Sequence, residues 1–275
     1  MNAATPDLAA WLDFAVETAR AAGQLVRERF HQRHTVTSKS SPVDLVTEAD
    51  VASEQLIVAR IRQRFPDHAI LAEEGHAQGQ KRRSPHTWLI DPLDGTTNYA
   101  HGYPAFSIAI AVIAVAQRNE ILLGVTYDPL RDELFTAQRE GGAFLNGRRL
   151  RVSLTPRLNE ALLATGFPYS RATEAQNNLG PFSHVMPRVR GVRRGGSAAL
   201  DLAYVAAGRL DGYWEFWLSP WDWAAGSLLV TEAGGTVTDV AGAPWRPGTL
   251  NLIATNGHLH EELRRTVNGG LATED

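Results

Sequence analysis

One run of eight residues constrains this chain more than any other feature. Asp91-Pro92-Leu93-Asp94-Gly95-Thr96-Thr97-Asn98 stands directly behind the short apolar segment 88–90. A short apolar segment bounded by turn residues reads as a buried strand. Pro92 fixes one backbone angle and Gly95 permits a tight turn, so the strand must run into a sharp loop bearing two carboxylates. Thr96 or Thr97 can cap a short helix beyond the loop, whose free N–H groups favour an anion. Two carboxylates, a proline, a glycine and two threonines are more than a turn needs.

Other acidic residues sit at the ends of apolar segments in the same way. Glu73-Glu74-Gly75 follows the strand-like segment 69–72, and Asp222 lies between Trp221 and Trp223, just ahead of a helix predicted over 223–233. Asp44 and Asp50 flank the start of a helix predicted from near Thr47 to Phe65. Each has a plainer reading alone. Asp222 suits an N-cap, Thr47 and Asp50 have capping-box spacing, and Glu73-Glu74 suits a solvated turn. Collected in one cleft, these carboxylates would repel unless some were protonated or a divalent cation joined them. An all-oxygen set without Cys or His points to magnesium, manganese or calcium rather than zinc, with the Leu93 carbonyl as a further oxygen. The nine histidines show no metal-binding spacing, and His76, near the acidic set, is read as solvated.

The patterning around these residues suggests where they belong. Thr5-Pro6 reads as a helix start, and Leu8, Leu12, Ala15, Ala19, Ala22, Val26 and Phe30 continue it at spacings of three and four. Segments 69–72, 88–90, 105–116, 121–127, 133–137 and 142–145 read as strands, with turns at Asp128-Pro129 and Asn146-Gly147. That implies a largely antiparallel sheet behind two N-terminal helices. The second half alternates differently: strand 161–165, a polar stretch of helix and loop over 170–188, and a helix over 197–207 capped by Ser197 and ended by Gly208. Strand 210–216, helix 223–233, strand 251–255, helix 258–267 and a frayed tail after Asn268 complete it.

Composition narrows the function. A chain of 275 residues with 44% hydrophobic content can bury a sizeable core. The net charge of −3 is evenly mixed, which gives nucleic-acid binding no electrostatic support. The absence of cysteine excludes thiolate nucleophiles and cysteine-ligated zinc. The N-terminus lacks the basic region of a signal peptide, and the 12-residue apolar run 105–116 is short of the roughly 20 residues a membrane helix needs. A cytoplasmic location is therefore expected, with no membrane partner.

Taken together, these motifs resemble those of the inositol monophosphatase family. The residues that carry the likeness are Glu73-Glu74, the run Asp91 to Asn98, and Trp221-Asp222-Trp223-Ala224-Ala225-Gly226. Lys39 to Thr47, Gly195-Gly196-Ser197-Ala198-Ala199 and Glu232-Ala233-Gly234-Gly235 match in order, so the likeness covers nearly the whole chain. The resemblance implies an α+β fold, a layered α-β-α-β-α sandwich shared with fructose-1,6-bisphosphatase. It implies a single domain over 1–275, with a metal-binding half to about 152 and a substrate half over about 153–268. It also implies magnesium-dependent, lithium-sensitive hydrolysis of phosphate monoesters, with more than one Mg2+ per site, Mn2+ as a substitute, and a homodimer.

Carried over residue by residue, the resemblance makes Glu73, Asp91, Asp94, Asp222 and the Leu93 carbonyl metal ligands. Thr96 and Asp50 become the pair that orients the attacking water, with Glu73 beside them. Asp94, Gly95, Thr96, Gly196, Ser197, Ala198, Glu215 and Asp222 become substrate contacts. Trp223 fills a variable slot with a large ring, read either as core or dimer packing or as an altered pocket wall. The implied substrate is inositol 1-phosphate. Histidinol phosphate and sugar or nucleotide phosphates are alternatives, because Glu215 can accept from hydroxyls or pair with an ammonium. Two rivals stand beside this reading. An aspartyl-nucleophile phosphatase usually needs a D-x-D spacing, which Asp91 and Asp94 do not have. A regulatory binding protein on a phosphatase scaffold would draw on the arginines at 188, 190, 193 and 194, which read more simply as a solvated face.

Overall fold

Helix α1 (Leu8–Arg29) opens the chain, with Asp7 as its N-cap accepting from the Ala10 N–H. In a computed structural model the chain is described over residues 7–32, 35–39, 42–75, 84–115, 120–244 and 248–271. The expected start at Thr5-Pro6 and the histidine at 76 lie outside these residues, as do Ser40, Ser41 and Ala116. The buried stripe of α1 is small, Ala15, Ala19, Ala22 and Gly23, so the helix lies close on the sheet beneath it. Strands β1 (Val36–Ser38) and β2 (Leu45–Thr47) form an antiparallel hairpin that leads into α2 (Glu48–Arg64). The hairpin was not expected, because three-residue strands show too little of the period-two pattern to be read. Thr47 caps α2 in a capping box with Asp50, as the spacing predicts.

The first sheet holds β3 (Ala69–Ala72), β4 (His86–Asp94), β5 (Ser107–Ala114), β6 (Glu120–Asp128), β7 (Glu133–Gln138), β8 (Gly142–Leu145) and β9 (Arg148–Arg149), in that order. Only the β3–β4 pair is parallel. The short helix α3 (Thr96–Ala100) follows β4. The second sheet is built from β10 (Leu162–Thr165), β11 (Gly191–Arg193), β12 (Gly212–Phe216), β13 (Thr236–Thr238) and β14 (Asn251–Thr255). Its order is β11-β10-β12-β14-β13. Helices α4 (Leu179–Val185), α5 (Ala198–Ala206), α6 (Pro220–Glu232) and α7 (His260–Asn268) belong to this half. Strands β9, β11 and β13 went unread for the same reason as the hairpin.

Three hydrophobic cores define five layers. One lies between α1–α2 and the first sheet, a second holds α5 and α6 between the two sheets, and a third lies between the second sheet and α4–α7. This is the α-β-α-β-α sandwich that the family resemblance implied. Strand β5 explains its own apolar run, since side chains alternate across a sheet. Ile108, Ile110 and Val112 enter the first core, while Ala109, Ala111 and Ile113 enter the second. The small residues face α6, and a Cβ on Gly124 of β6 would lie 2.8 Å from the Ala225 backbone. Helix α6 thus presses on the sheet with almost no side chain between them.

Helix α6 starts earlier than expected. Ser219 is the N-cap, Pro220 the first helical residue, and Asp222 the third, where it closes a capping box rather than capping the helix itself. Proline at the first position costs no hydrogen bond, so the helix extends back to it. Thr96 and Thr97 likewise do not cap α3. Gly95 does so, at φ 104°, a left-handed conformation open to glycine.

Candidate active site

Parallel pairing of β3 and β4 sets the first two carboxylates side by side. Ala72 pairs with Ile90, so Glu73, just past the end of β3, stands beside Asp91 of β4, and the Glu73 N–H bonds the Ile90 carbonyl. The two carboxyl groups lie close enough that Glu73 raises the pKa of Asp91. The Leu93 N–H donates to Asp91 Oδ1 at 3.1 Å, and the Ser53 hydroxyl holds the Pro92 carbonyl at 2.7 Å, which fixes the loop. Asp94 is anchored from the other half of the molecule. Its Oδ2 accepts from the Ser197 hydroxyl at 2.6 Å and from the Ala199 N–H at 2.7 Å. Asp222 Oδ2 accepts from the Ser219 N–H at 2.7 Å.

These carboxylates perturb one another. Burial pushes Asp91 well above the usual carboxylate range, and Glu73, Asp94 and Asp222 push it further. Burial also raises Asp222 well above that range, reinforced by Glu73 and Asp94. Asp94 is pushed up to about 6 by burial, opposed by its bonds from Ser197 and Ala199. Burial raises Glu73 as well, with Lys39 opposing. Lys39, at the tip of the β1–β2 hairpin, reaches Glu73 Oε1 at 2.9 Å and Glu74 Oε1 at 2.5 Å. Burial works against its charge, but these carboxylates outweigh that and hold the ammonium's pKa up.

The donor set is all oxygen, and each Asp is fixed by an N–H or hydroxyl from the protein. That is the chemistry an oxygen-ligated divalent cation requires. Among the described residues no three acidic or histidine side chains are drawn round one point as they stand. Lys39 engages the Glu73 side, so part of the cluster's charge is already neutralised by an ammonium.

Asp50 and Thr96 form the second unit. The Thr96 hydroxyl lies 2.8 Å from Asp50 Oδ1 and 3.1 Å from the Leu93 carbonyl, while the Thr47 N–H donates to Asp50 Oδ2 at 2.8 Å. Burial raises the Asp50 pKa, and the bonds from Thr47 and Thr96 oppose it.

One cleft of about 330 Å³ gathers these groups. Glu73, Asp91, Leu93, Asp94, Gly95, Thr96, Gly196, Ser197, Ala198, Glu215 and Asp222 all line it, so every sequence-predicted site residue is there except Asp50, which stands behind Thr96. Asn98 holds the two halves together, its side-chain amide donating to the carbonyls of Ala105 and Gly195. Trp223 is 1% exposed within the middle core, so the wall reading of that ring is corrected to core packing. Trp217 and Trp221 line the cleft in its place. Among the titratable lining residues, Lys39, Tyr169, Arg194 and Asp201 had drawn no site role from the sequence. Arg194 had stood only in the arginine cluster. Asp201, in the first turn of α5, looks like an ordinary dipole-favoured acid, and nothing local marks it.

A five-layer sandwich with carboxylates from both halves in one buried cleft is the build of a phosphoric monoester hydrolase. The sequence model of the inositol monophosphatase family matches residues 7–271, and the chain belongs to that family. An inositol-1-monophosphatase of Synechocystis sp. is 45% identical over 95% of this chain and 90% of its own length. A Pseudomonas aeruginosa protein named Nus factor SuhB is 47% identical over 93% of this chain and 95% of its own. Among solved structures, an inositol monophosphatase from Anabaena (Nostoc) sp. superposes with a TM-score of 0.86 at 44% identity, covering 96% of this chain and 97% of that one.

Proposed function

We propose that this chain hydrolyses a small phosphate monoester, inositol 1-phosphate first among them, by direct attack of water in a magnesium-dependent reaction. The observation that carries this is the meeting of Glu73, Asp91, Asp94 and Asp222, from three separate segments, in one buried cleft, where the other three raise the pKa of Asp91. These four side chains and the Leu93 carbonyl would hold the ions, more than one Mg2+ per site with Mn2+ as a substitute. Bound divalent cations supply charge neutralisation at the phosphoryl oxygens and make water a better nucleophile.

The chain's own groups supply the rest. Thr96 donates its proton to Asp50, which turns the hydroxyl's lone pairs to the cleft to accept from and align the attacking water. Asp50, with its raised pKa, is placed to take up the proton through that hydroxyl. Glu73 supports the same water, and the N–H groups at Gly95 and Thr96 receive phosphate oxygens. Gly196, Ser197, Ala198 and Glu215 contact the alcohol portion. No phosphoenzyme forms in this scheme. The half up to about residue 152 would carry most of the cation site, and 153–268 would carry the substrate contacts together with Asp222. A cytoplasmic homodimer inhibited by lithium completes the reading. Histidinol phosphate and sugar or nucleotide phosphates remain the alternative substrates.

Replacing Asp94 with Asn is the direct test. Turnover of inositol 1-phosphate at saturating magnesium should fall by about 10²–10³-fold, on the scale of losing a preorganised electrostatic contact. Near-normal magnesium-dependent activity would rule out the ligand role. The relatives named Nus factor SuhB favour a second reading, a regulatory binding protein on this scaffold. Magnesium calorimetry followed by turnover on a phosphate-ester panel separates the two.

A further inference from the structure

Beside the cleft lies a second cavity of about 380 Å³. Phe167, Tyr169 and Arg194 line both spaces and form the partition between them. The charge changes sign across that partition. Carboxylates crowd the cleft, whereas the cavity is lined by Arg171, Arg194 and the His101 ring and, among the described residues, by no acid. The chain as a whole has 30 acidic residues against 27 basic ones, so an acid-free pocket with two guanidinium groups departs from its even charge mixing.

No described residue forms an ion pair with either guanidinium. Arg171 Nη1 donates to the Pro168 carbonyl at 3.3 Å, a neutral acceptor. Arg194 makes no hydrogen bond or ion pair with any described residue, and Asp201 and Glu215 feel its charge only from a distance. A Cβ on Gly196 would lie 2.8 Å from Arg194 Nη1, so the glycine, at φ 83°, leaves the space in which that guanidinium lies. Val43, Leu45 and Phe167 give the cavity apolar walls, and low-dielectric walls strengthen the pull of nearby charges on an anion. A guanidinium is planar, always charged, and presents paired N–H groups that match two oxygens of a phosphate. One such fork satisfies a carboxylate. Two on one cavity suit a dianion.

We propose that Arg171 and Arg194 form an anion subsite, separate from the position of the reacting phosphate, that takes a phosphate-sized dianion. This goes beyond the phosphatase reading and does not depend on it, because no bond is made or broken there. The dianion can be free phosphate, or a second phosphate on an ester whose first phosphate lies in the cleft. Inositol 1-phosphate leaves the subsite open, so its hydrolysis does not require Arg171, which lines the cavity and not the cleft.

Titration calorimetry in chelator reads the subsite without turnover. Inorganic phosphate should bind the wild type, and Arg171→Gln should weaken that binding by about tenfold or more, the scale of a lost hydrogen bond to a charged group. A second arm compares inositol 1,4-bisphosphate with inositol 1-phosphate under the same conditions. The wild type should hold the bisphosphate more tightly, and Arg171→Gln should bring the two together. A response in the first arm shows that free phosphate suffices, and a response in the second alone shows that the anion arrives on an ester. No response to Arg171→Gln in either arm overturns the proposal. Arg194→Gln should act in the same direction and decides the matter if Arg171→Gln does not fold. Magnesium-dependent turnover of inositol 1-phosphate by Arg171→Gln should match wild type, and a parallel fall would place Arg171 at the reacting phosphate and overturn the separate subsite. An inert enzyme whose phosphate binding still depends on Arg171 sinks the phosphatase reading and keeps the subsite.

Discussion

Asp94 is the residue on which both halves of the molecule close. It ends β4 in the first half, yet its hydrogen bonds come from Ser197 and Ala199 in the second. Its pKa has a consequence for stability that needs no substrate. Burial lifts it from the model-compound value of 3.8 to about 6. Between those values the folded state keeps a proton that the unfolded chain has released, so this group's stabilisation is lost as pH rises through about 6. Asn cannot ionise. In chelator, the melting temperature of Asp94→Asn relative to wild type should therefore rise from pH 5 to pH 7, while activity is lost. A flat difference across that range would show that Asp94 is not strained in this way. Thr96 gives a kinetic counterpart. Thr96→Ala removes the hydroxyl between Asp50 and the cleft and should lower kcat by about 10²–10⁴-fold, as for loss of a proton-transfer group. Thr96→Ser should restore most of it. Equal losses in both would mean that the methyl group, not the hydroxyl, is what matters.

At the scale of elements, the cleft depends on how closely α6 approaches the first sheet. Its N-terminus carries Asp222, and its middle rests on the glycine of β6 and on Ala109 and Ala111 of β5. Gly124→Ala would put a methyl 2.8 Å from the Ala225 backbone, and backbone cannot turn aside as a side chain can. Overpacking of this kind costs about 1–3 kcal/mol. The variant should melt several degrees lower and bind magnesium more weakly, because α6 and Asp222 must lift from the sheet. A variant as stable as wild type would mean that α6 shifts freely. Gly226 shows the same economy on the other side of the helix, where a Cβ would lie 2.4 Å from the Cβ of Leu202 on α5.

The molecule as a whole holds a cluster of like charges in its interior, only partly met by Lys39. Folding tolerates this because three cores, two of them flanking the cluster, bury enough apolar surface to outweigh it. A cation bound only by the folded state should then stabilise it. At a magnesium concentration of 100 times Kd the gain is about 2.7 kcal/mol, or roughly 5–10 °C in Tm for a chain of this size. Thermal melts in chelator and in magnesium measure it directly, and identical Tm values would contradict a cation site at these carboxylates.

Local signals carried far. The loop from Asp91 to Asn98, the Thr47–Asp50 capping box and the long apolar β5 were legible because each is set by neighbours a few residues away. The layered fold followed from that patterning together with the family likeness. The far end of the cleft was not legible. Asp201 is an unremarkable helix residue until Glu215, from another element, is placed near it. Among four nearby tryptophans, Trp214 and Trp223 are core while Trp217 and Trp221 line the cleft. A left-handed turn at Trp217 and a helix that begins three residues early at Pro220 decide which is which. Hydrophobic period and capping chemistry are properties of a short stretch of chain, so the sequence by itself determined the longer elements and the carboxylate loop. Which carboxylates meet, and which rings face the cleft, depends on contacts between residues about a hundred positions apart, such as Asp94 with Ser197, and only the tertiary structure sets those.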